Sequence, residues 1–389
     1  MLHRIAISVL ALAAAAGAQE SGGAAPEAAA GVRAAAREIL DGLVEGGVPG
    51  ASAALVLPGG EVVALAAGFA SVDDELPLTP EHLLLVGSAG KTYVTAAAHR
   101  LVHAGKLELD VPVASYFEGE EVPWLERVPN AGAVTLRQLL RHETGIPRYV
   151  FKPEFTAEIT ERPDRAWRPE ELLAFVFDDE PLFAPGEGWA YSDTNYVAAG
   201  ILIEKAAGRP FYDLVRAELL EPHDLARTVP SDRRRIPGMA QGHVVMGRQL
   251  GVPARTLAKG EFVYNVQFEW CGGGWATTPG DLARWVGILY SGEAFDAPYL
   301  ATLLDTVEAP ALGPGVEYGL GAMVRDTPAG RLVFHDGFMP GYLTSAGYFP
   351  EHGIAAALQL NGDDSRAVGR PLSDVLVELA EAALEALGR

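Results

Sequence analysis

Strand-like runs in this chain gather near its two ends and leave a long helical stretch between them. That placement limits the fold more than any other feature. Residues 51–57 and 61–69 are apolar and joined at Pro58-Gly59-Gly60, whose chemistry suits a hairpin. Near the other end, residues 332–335, 343–349 and 354–360 repeat the pattern. From about 88 to 300 the chain reads as helices separated by proline-rich loops: 88–104, 135–141, 169–177, 194–207, 211–220 and 278–291. Outer helices are expected over 32–45, stopped by Gly46-Gly47, and over 372–387. Hairpin-length connections imply antiparallel pairing. The expected fold is therefore α+β. A mostly antiparallel sheet, built from 31–87 and 300–389, is covered by helices, and a helical subdomain is inserted over 88–299. Residues 31–389 form a single domain, with no internal repeat and enough apolar sequence for a large core.

Ahead of that domain, residues 1–18 (MLHRIAISVLALAAAAGA) carry Arg4, an apolar run over 5–16 and the small-residue end Ala16-Gly17-Ala18. This is the pattern of a secretory signal peptide, and the run is too short to span a bilayer. Residues 19–30 then read as a small-residue linker. The mature protein is expected to be periplasmic or secreted and free of the membrane. A formal net charge of −21 disfavours nucleic acid and anionic lipid as partners. Cys271 is the only cysteine, so there is no intramolecular disulfide, and its apolar and glycine neighbours suit a small buried residue.

The chemistry centres on LLLVGSAGKTYVT, residues 83–95, which has two readings. Gly-Lys-Thr at 90–92 ends like a phosphate-binding loop, but that motif needs a glycine where Leu85 stands. The other reading is Ser88-x-x-Lys91, which places an alcohol and an amine on one face of a helix. A serine attacks a carbonyl once a base removes its proton, and a lysine can serve if its environment lowers its pKa. Tyr191, just before a helix capped by Ser192, Asp193 or Thr194, is a candidate to share that proton. His335-Asp336-Gly337 ends a late strand, and Gly337 would let a substrate backbone approach. His99 and His103 have zinc-like spacing but lack a third ligand nearby, and the chemistry calls for no metal or cofactor.

In this order the segments resemble those of serine β-lactamases and penicillin-binding proteins, nearest the class C β-lactamases and their esterase and D-aminopeptidase relatives. The likeness runs over about residues 35–380. It rests on VPGASAALVLPGGEVVALAAGFA, Ser88-Ala89-Gly90-Lys91, GKLELDVPVASYF, TLRQLLRHETGIPRY, PGEGWAYSDTNYVAAGILIE, GGGWATTPGDLARW and His335-Asp336-Gly337. It implies an acyl-enzyme on Ser88, proton relay by Lys91 and Tyr191, and an oxyanion hole from the N–H groups of Ser88 and Phe338. It also implies an opposite wall formed by the third motif, where His335 polarises the carbonyl, orients Tyr191 or packs. Asp193, Asp336, Gly337 and Phe338 are the expected substrate-binding residues.

Two departures bear on specificity. Asp193 stands where the β-lactamases have asparagine, and His335-Asp336 where they have lysine and a hydroxyl. Acids at those places repel a substrate carboxylate, so poor β-lactam hydrolysis and a preference for neutral or cationic substrates are expected. The substrate is then a small ester, an amide or a short D-amino-acid peptide. The alternative is a non-catalytic binder or sensor of peptidoglycan peptides on the same scaffold. The likeness implies nothing about oligomeric state.

Overall fold

The computed structural model describes residues 24–295 and 299–389, so the expected signal peptide and the start of the expected linker lie outside the described residues. Helix α1 (Ala24–Glu45) begins eight residues earlier than expected, so 24–30 are helical and not linker. The alanines that looked like spacer are good helix formers, and they extend the turn already started by the amphipathic stretch.

Nine of the strands form one antiparallel sheet. In chain order these are β1 (Gly50–Val56), β2 (Val62–Ser71), β3 (Leu76–Pro77), β4 (Val307–Glu308), β5 (Glu317–Tyr318), β6 (Met323–Thr327), β7 (Gly330–Met339), β8 (Tyr342–Phe349) and β9 (Ile354–Leu360). Their spatial order is β3-β2-β1-β9-β8-β7-β6-β5-β4, so the N-terminal hairpin joins the C-terminal meander where β1 pairs with β9, Ala51 opposite Leu360. Alternation along the strands divides the core in two. Leu55, Leu332, Phe334, Ile354 and Leu358 face α1 and the C-terminal helix α5 (Leu372–Ala386). Ala54, Val333, Ala346, Ala355 and Ala357 face the helical region.

Three further helices matter here: α2 (Lys91–His103), α3 (Asp193–Ala207) and α4 (Pro279–Ser291). The expected boundary of the helical subdomain at 299 is too late, because α4 lies on β1, β8 and β9 and covers the inner face of the sheet. The small residues on that face let α4 approach closely; Gly287 sits against Ala355. Helix α2 is buried nearly all round, its Tyr93 stacked on Trp285 at 4.6 Å and its Thr92 hydroxyl accepting from the Trp285 indole at 2.9 Å. The active cleft lies where the start of this central helix meets the exposed end of β7.

Candidate active site

The candidate nucleophile, Ser88, is delivered by a constrained turn. Leu84–Leu85 pairs with Trp275–Thr277, and the Val86 N–H donates to the Trp275 carbonyl at 3.1 Å. The chain then makes a 3-10 turn, Gly87–Gly90, that holds Ser88, and the α-helix starts only at Lys91. The expected single helix over 88–104 is thus split. Glycine is required on both sides of the split. Gly87 has φ +52° and lies against the backbone of Phe338, while a methyl built at Gly337 would run into the Val86 carbonyl oxygen. The turn carrying Ser88 and the end of β7 are therefore in backbone contact, with Gly87 against Phe338 and Gly337 against Val86 and Ala89.

Lys91 is fully buried and spends its three protons locally. It donates to Ser88 Oγ at 3.1 Å, to Asp193 Oδ1 at 2.9 Å and to the Gly272 carbonyl at 2.5 Å. Burial pushes the amine toward neutrality, but Asp193, with smaller help from Tyr191 and Glu269, overturns that, and its pKa is raised above the ordinary lysine value. Lys91 is an ammonium here, not the neutral base that burial alone would make.

Tyr191 is placed by a part of the chain far from both. Thr135 and Gln138 close a capping box on helix Leu136–Arg141, and His142 ends it in the left-handed conformation. The His142 ring, held neutral by burial, accepts from the Ser192 N–H at 3.3 Å and lies 4.2 Å from the Tyr191 ring. Lys91 Nζ sits 5.0 Å from that ring on another side. The phenol oxygen is buried and has no hydrogen-bond partner among the described residues. Burial raises the Tyr191 pKa; Lys91 and Ser88 draw it down, Asp193 pushes it up, and it remains raised.

Asp193 is where the sequence reading needs revision. Its carboxylate is clamped by Lys91 on one oxygen and by Arg148 on the other, Nη2 at 2.7 Å and Nε at 3.0 Å. These two cations outweigh its burial and hold it well below the usual carboxylate range. Asp193 is ionised, but its charge is already matched, so it offers a substrate little free negative field. Arg148 lies in TLRQLLRHETGIPRY, and the signal for its role is a buried acid that demands cations.

His335 does not line the cleft. It is fully buried behind Tyr191, ring centroids 6.4 Å apart, with Nδ1 donating to the Asp336 carbonyl at 2.6 Å and Nε2 receiving the Tyr318 hydroxyl at 2.9 Å. Burial, aided by Lys91, lowers its pKa to about 3, so the ring is neutral. Asp336 and Phe338 do face the opening, and burial raises the Asp336 pKa to about 6.

Ser88 stands at the junction of two cavities. One, about 620 Å³, includes Trp189, Tyr191, Asp336, Gly337 and Leu343. The other, about 400 Å³, includes Phe151, Phe155, Asp193, Tyr264, Phe268 and Glu269. Glu269 was not singled out from sequence. A larger cavity of about 730 Å³ around Arg216, Arg227 and Arg233 does not include the nucleophile. A hydroxyl hydrogen-bonded to a buried ammonium and near a buried phenol, with space on both sides, is suited to acyl transfer through a serine.

The Beta-lactamase family model matches residues 32–380, and the chain belongs to that family. Among curated proteins it is 27% identical over 297 residues to penicillin-binding protein 4* of Bacillus subtilis, covering 73% of this chain and 62% of that one. It is 25% identical over 298 residues to the human mitochondrial serine beta-lactamase-like protein LACTB, covering 62% of this chain and 53% of that one. The chain thus spans less than two thirds of the length of either. Among solved structures it resembles a D-stereospecific amidohydrolase from Streptomyces sp., with TM-score 0.74, 29% identity and coverage of 86% of this chain and 97% of that one. It also resembles the D-amino acid amidase of Ochrobactrum anthropi SV3 complexed with L-phenylalanine amide, with TM-score 0.75, 26% identity and coverage of 92% and 98%.

Proposed function

We propose that this protein is an exported serine hydrolase that cleaves amides through an acyl-enzyme on Ser88. D-amino-acid amides or short D-amino-acid peptides are its main substrate class, and small esters a secondary one. The observation that carries the reading is the convergence of Ser88, Lys91 and Asp193 within hydrogen-bond reach at the mouth of two cavities. The names of the structural neighbours supply the amide and the D configuration, and the signal-like N-terminus supplies the export.

The arrangement of protons supports the following roles. Since the Lys91 ammonium donates to Ser88, it cannot take the Ser88 proton; the Tyr191 oxygen can, once it has lost its own. Lys91 then stabilises the phenolate as a neighbouring cation. Ser88 Oγ attacks the carbonyl carbon, its proton passes to Tyr191, and the carbonyl oxygen takes up negative charge between the N–H groups of Ser88 and Phe338. Collapse expels the amine, which leaves with the proton from Tyr191, and water repeats the sequence on the ester to free the acid. Asp336, not the neutralised Asp193, repels a carboxylate on the leaving side, and for that reason β-lactams should be poor substrates.

A fluorophosphonate probe tests the nucleophile. The wild type should be labelled and Ser88→Ala should not. A folded wild type that resists the probe and leaves phenylalanine amides, D-Ala-D-Ala peptides, p-nitrophenyl esters and nitrocefin intact would turn the assignment toward a binding protein.

A further inference from the structure

Glu269 has no part in the proton relay, and its position calls for a role. It ends the short helix Val266–Glu269 and lines the same cavity as Ser88 and Asp193. A Cβ added at Gly272 would stand 3.5 Å from Glu269 Oε2, and the carbonyl of that same glycine receives the Lys91 ammonium. Among the described residues the carboxylate forms no ion pair or hydrogen bond, although Arg148 and Lys91 are near enough to act on it. The next residue, Trp270, has φ +34° and ψ −114°, a costly conformation for a bulky side chain. Beside it, Phe155, Tyr264 and Phe268 make an apolar wall in a cavity of about 400 Å³.

We propose that Glu269 binds the free α-ammonium of the acyl part of the substrate, so that the enzyme acts on an unblocked N-terminal residue with a large apolar side chain. The inference rests on the amide reading above and narrows it. An α-ammonium nitrogen is two bonds from the scissile carbonyl carbon, so its partner must line the pocket that opens on Ser88, and Glu269 does. An apolar wall beside an unpaired acid suits a side chain and an ammonium leaving the same carbon. Burial and the charge of Asp193 raise the Glu269 pKa to about 7, with Lys91 and Arg148 opposing. An α-amino group loses its proton near ~7.7–8.0. The preference for a free amine should therefore be greatest between about pH 7 and 8, where acid and amine are both charged.

The competing role is charge balance, one acid offsetting the surplus of Lys91 and Arg148 over Asp193. The two are separated with phenylalanine p-nitroanilide, in both enantiomers, and 3-phenylpropionic acid p-nitroanilide, which lacks only the amine. The wild type should prefer the amine-bearing substrate, and Glu269→Gln should reduce that ratio of kcat/KM by about 10- to 150-fold, the loss of one charged hydrogen bond. Glu269→Asp, which keeps the charge, should recover part of it. Fluorophosphonate labelling of Ser88 in each variant reports an assembled nucleophile. A ratio that stays constant in labelled Glu269→Gln, or rates that fall equally for both substrates, would overturn the proposal in favour of charge balance. A labelled wild type that cleaves neither anilide refutes the amide reading itself, and this proposal with it.

Discussion

Substituting Asp193 by asparagine removes one negative charge from the centre of the proton relay while keeping nearly the same shape. In the wild type that charge holds protons on both members of the Lys91–Tyr191 pair, since Asp193 raises each pKa. The phenolate proposed to activate Ser88 would therefore form only on the alkaline side, and kcat/KM should rise with pH through and above neutrality. Asp193 Oδ1 lies 2.9 Å from Lys91 Nζ in a buried site, and a partner at that range is worth about 1–3 pKa units. In Asp193→Asn the rising limb should move to lower pH by about 1–2 units, so that below the limb about 10- to 100-fold more of the base form is present. The limb belongs to the coupled pair and not to one residue. Stability should fall, because Lys91 and Arg148 lose their counter-ion. Breaking a buried pair costs about 3–5 kcal/mol, less here because Arg148 is partly exposed and the amide oxygen still accepts, leaving about 1–3 kcal/mol. The assay is kcat/KM against pH for a neutral p-nitrophenyl ester, so that no substrate group titrates, with thermal melting to confirm folding at each pH. A folded variant whose rising limb coincides with that of the wild type would refute the reasoning, because Asp193 would then not set the protonation of the relay.

Asp336 makes an opposite prediction for stability. Its folded pKa, about 6, lies above the ordinary carboxylate value because of burial, so folding disfavours its ionised form. The penalty is absent below about pH 4 and grows as pH rises through 6; Asp336→Asn should therefore gain about 1–3 kcal/mol at pH 8 and nothing at pH 4, read by denaturant melts at the two pH values. Gly337→Ala should lose acylation, because the new methyl collides with the Val86 carbonyl and forces the Phe338 N–H out of place. A fall of about 10²–10³ in kcat is expected, with about 1–3 kcal/mol of destabilisation from overpacking, and full activity in this variant would exclude Phe338 from the oxyanion hole.

The elements were legible where periodicity or punctuation was strong. The strand pattern at 343–349 and 354–360 matches β8 and β9 almost to the residue, because short apolar runs bounded by glycine mark them. The start of α1 was not, since an alanine-rich stretch serves equally well as spacer or helix until a sheet is present to pack against. The Ser88 turn was hidden for a related reason. A 3-10 turn leading into an α-helix has the same sequence spacing as the helix itself, and only contact with Phe338 and Gly273 reveals why Gly87 and Gly90 flank the serine.

Charge was least readable of all. Asp193 reads from sequence as a free acid in a cleft, yet it is fully matched by Lys91, 102 residues before it, and by Arg148, 45 before it. Glu269, which no motif marks, has no such partner among the described residues. Sequence spacing identifies which groups do the bond-making chemistry, because that chemistry needs particular residue types in order. The field acting on the substrate depends instead on which charges are already paired, and pairing is set by the fold. On that argument the proposed relay of Ser88, Lys91 and Tyr191 would decide that an acyl group is transferred, whereas Glu269 and Asp336, acids with no ion pair among the described residues and one in each cavity, would decide which acyl and leaving groups are admitted.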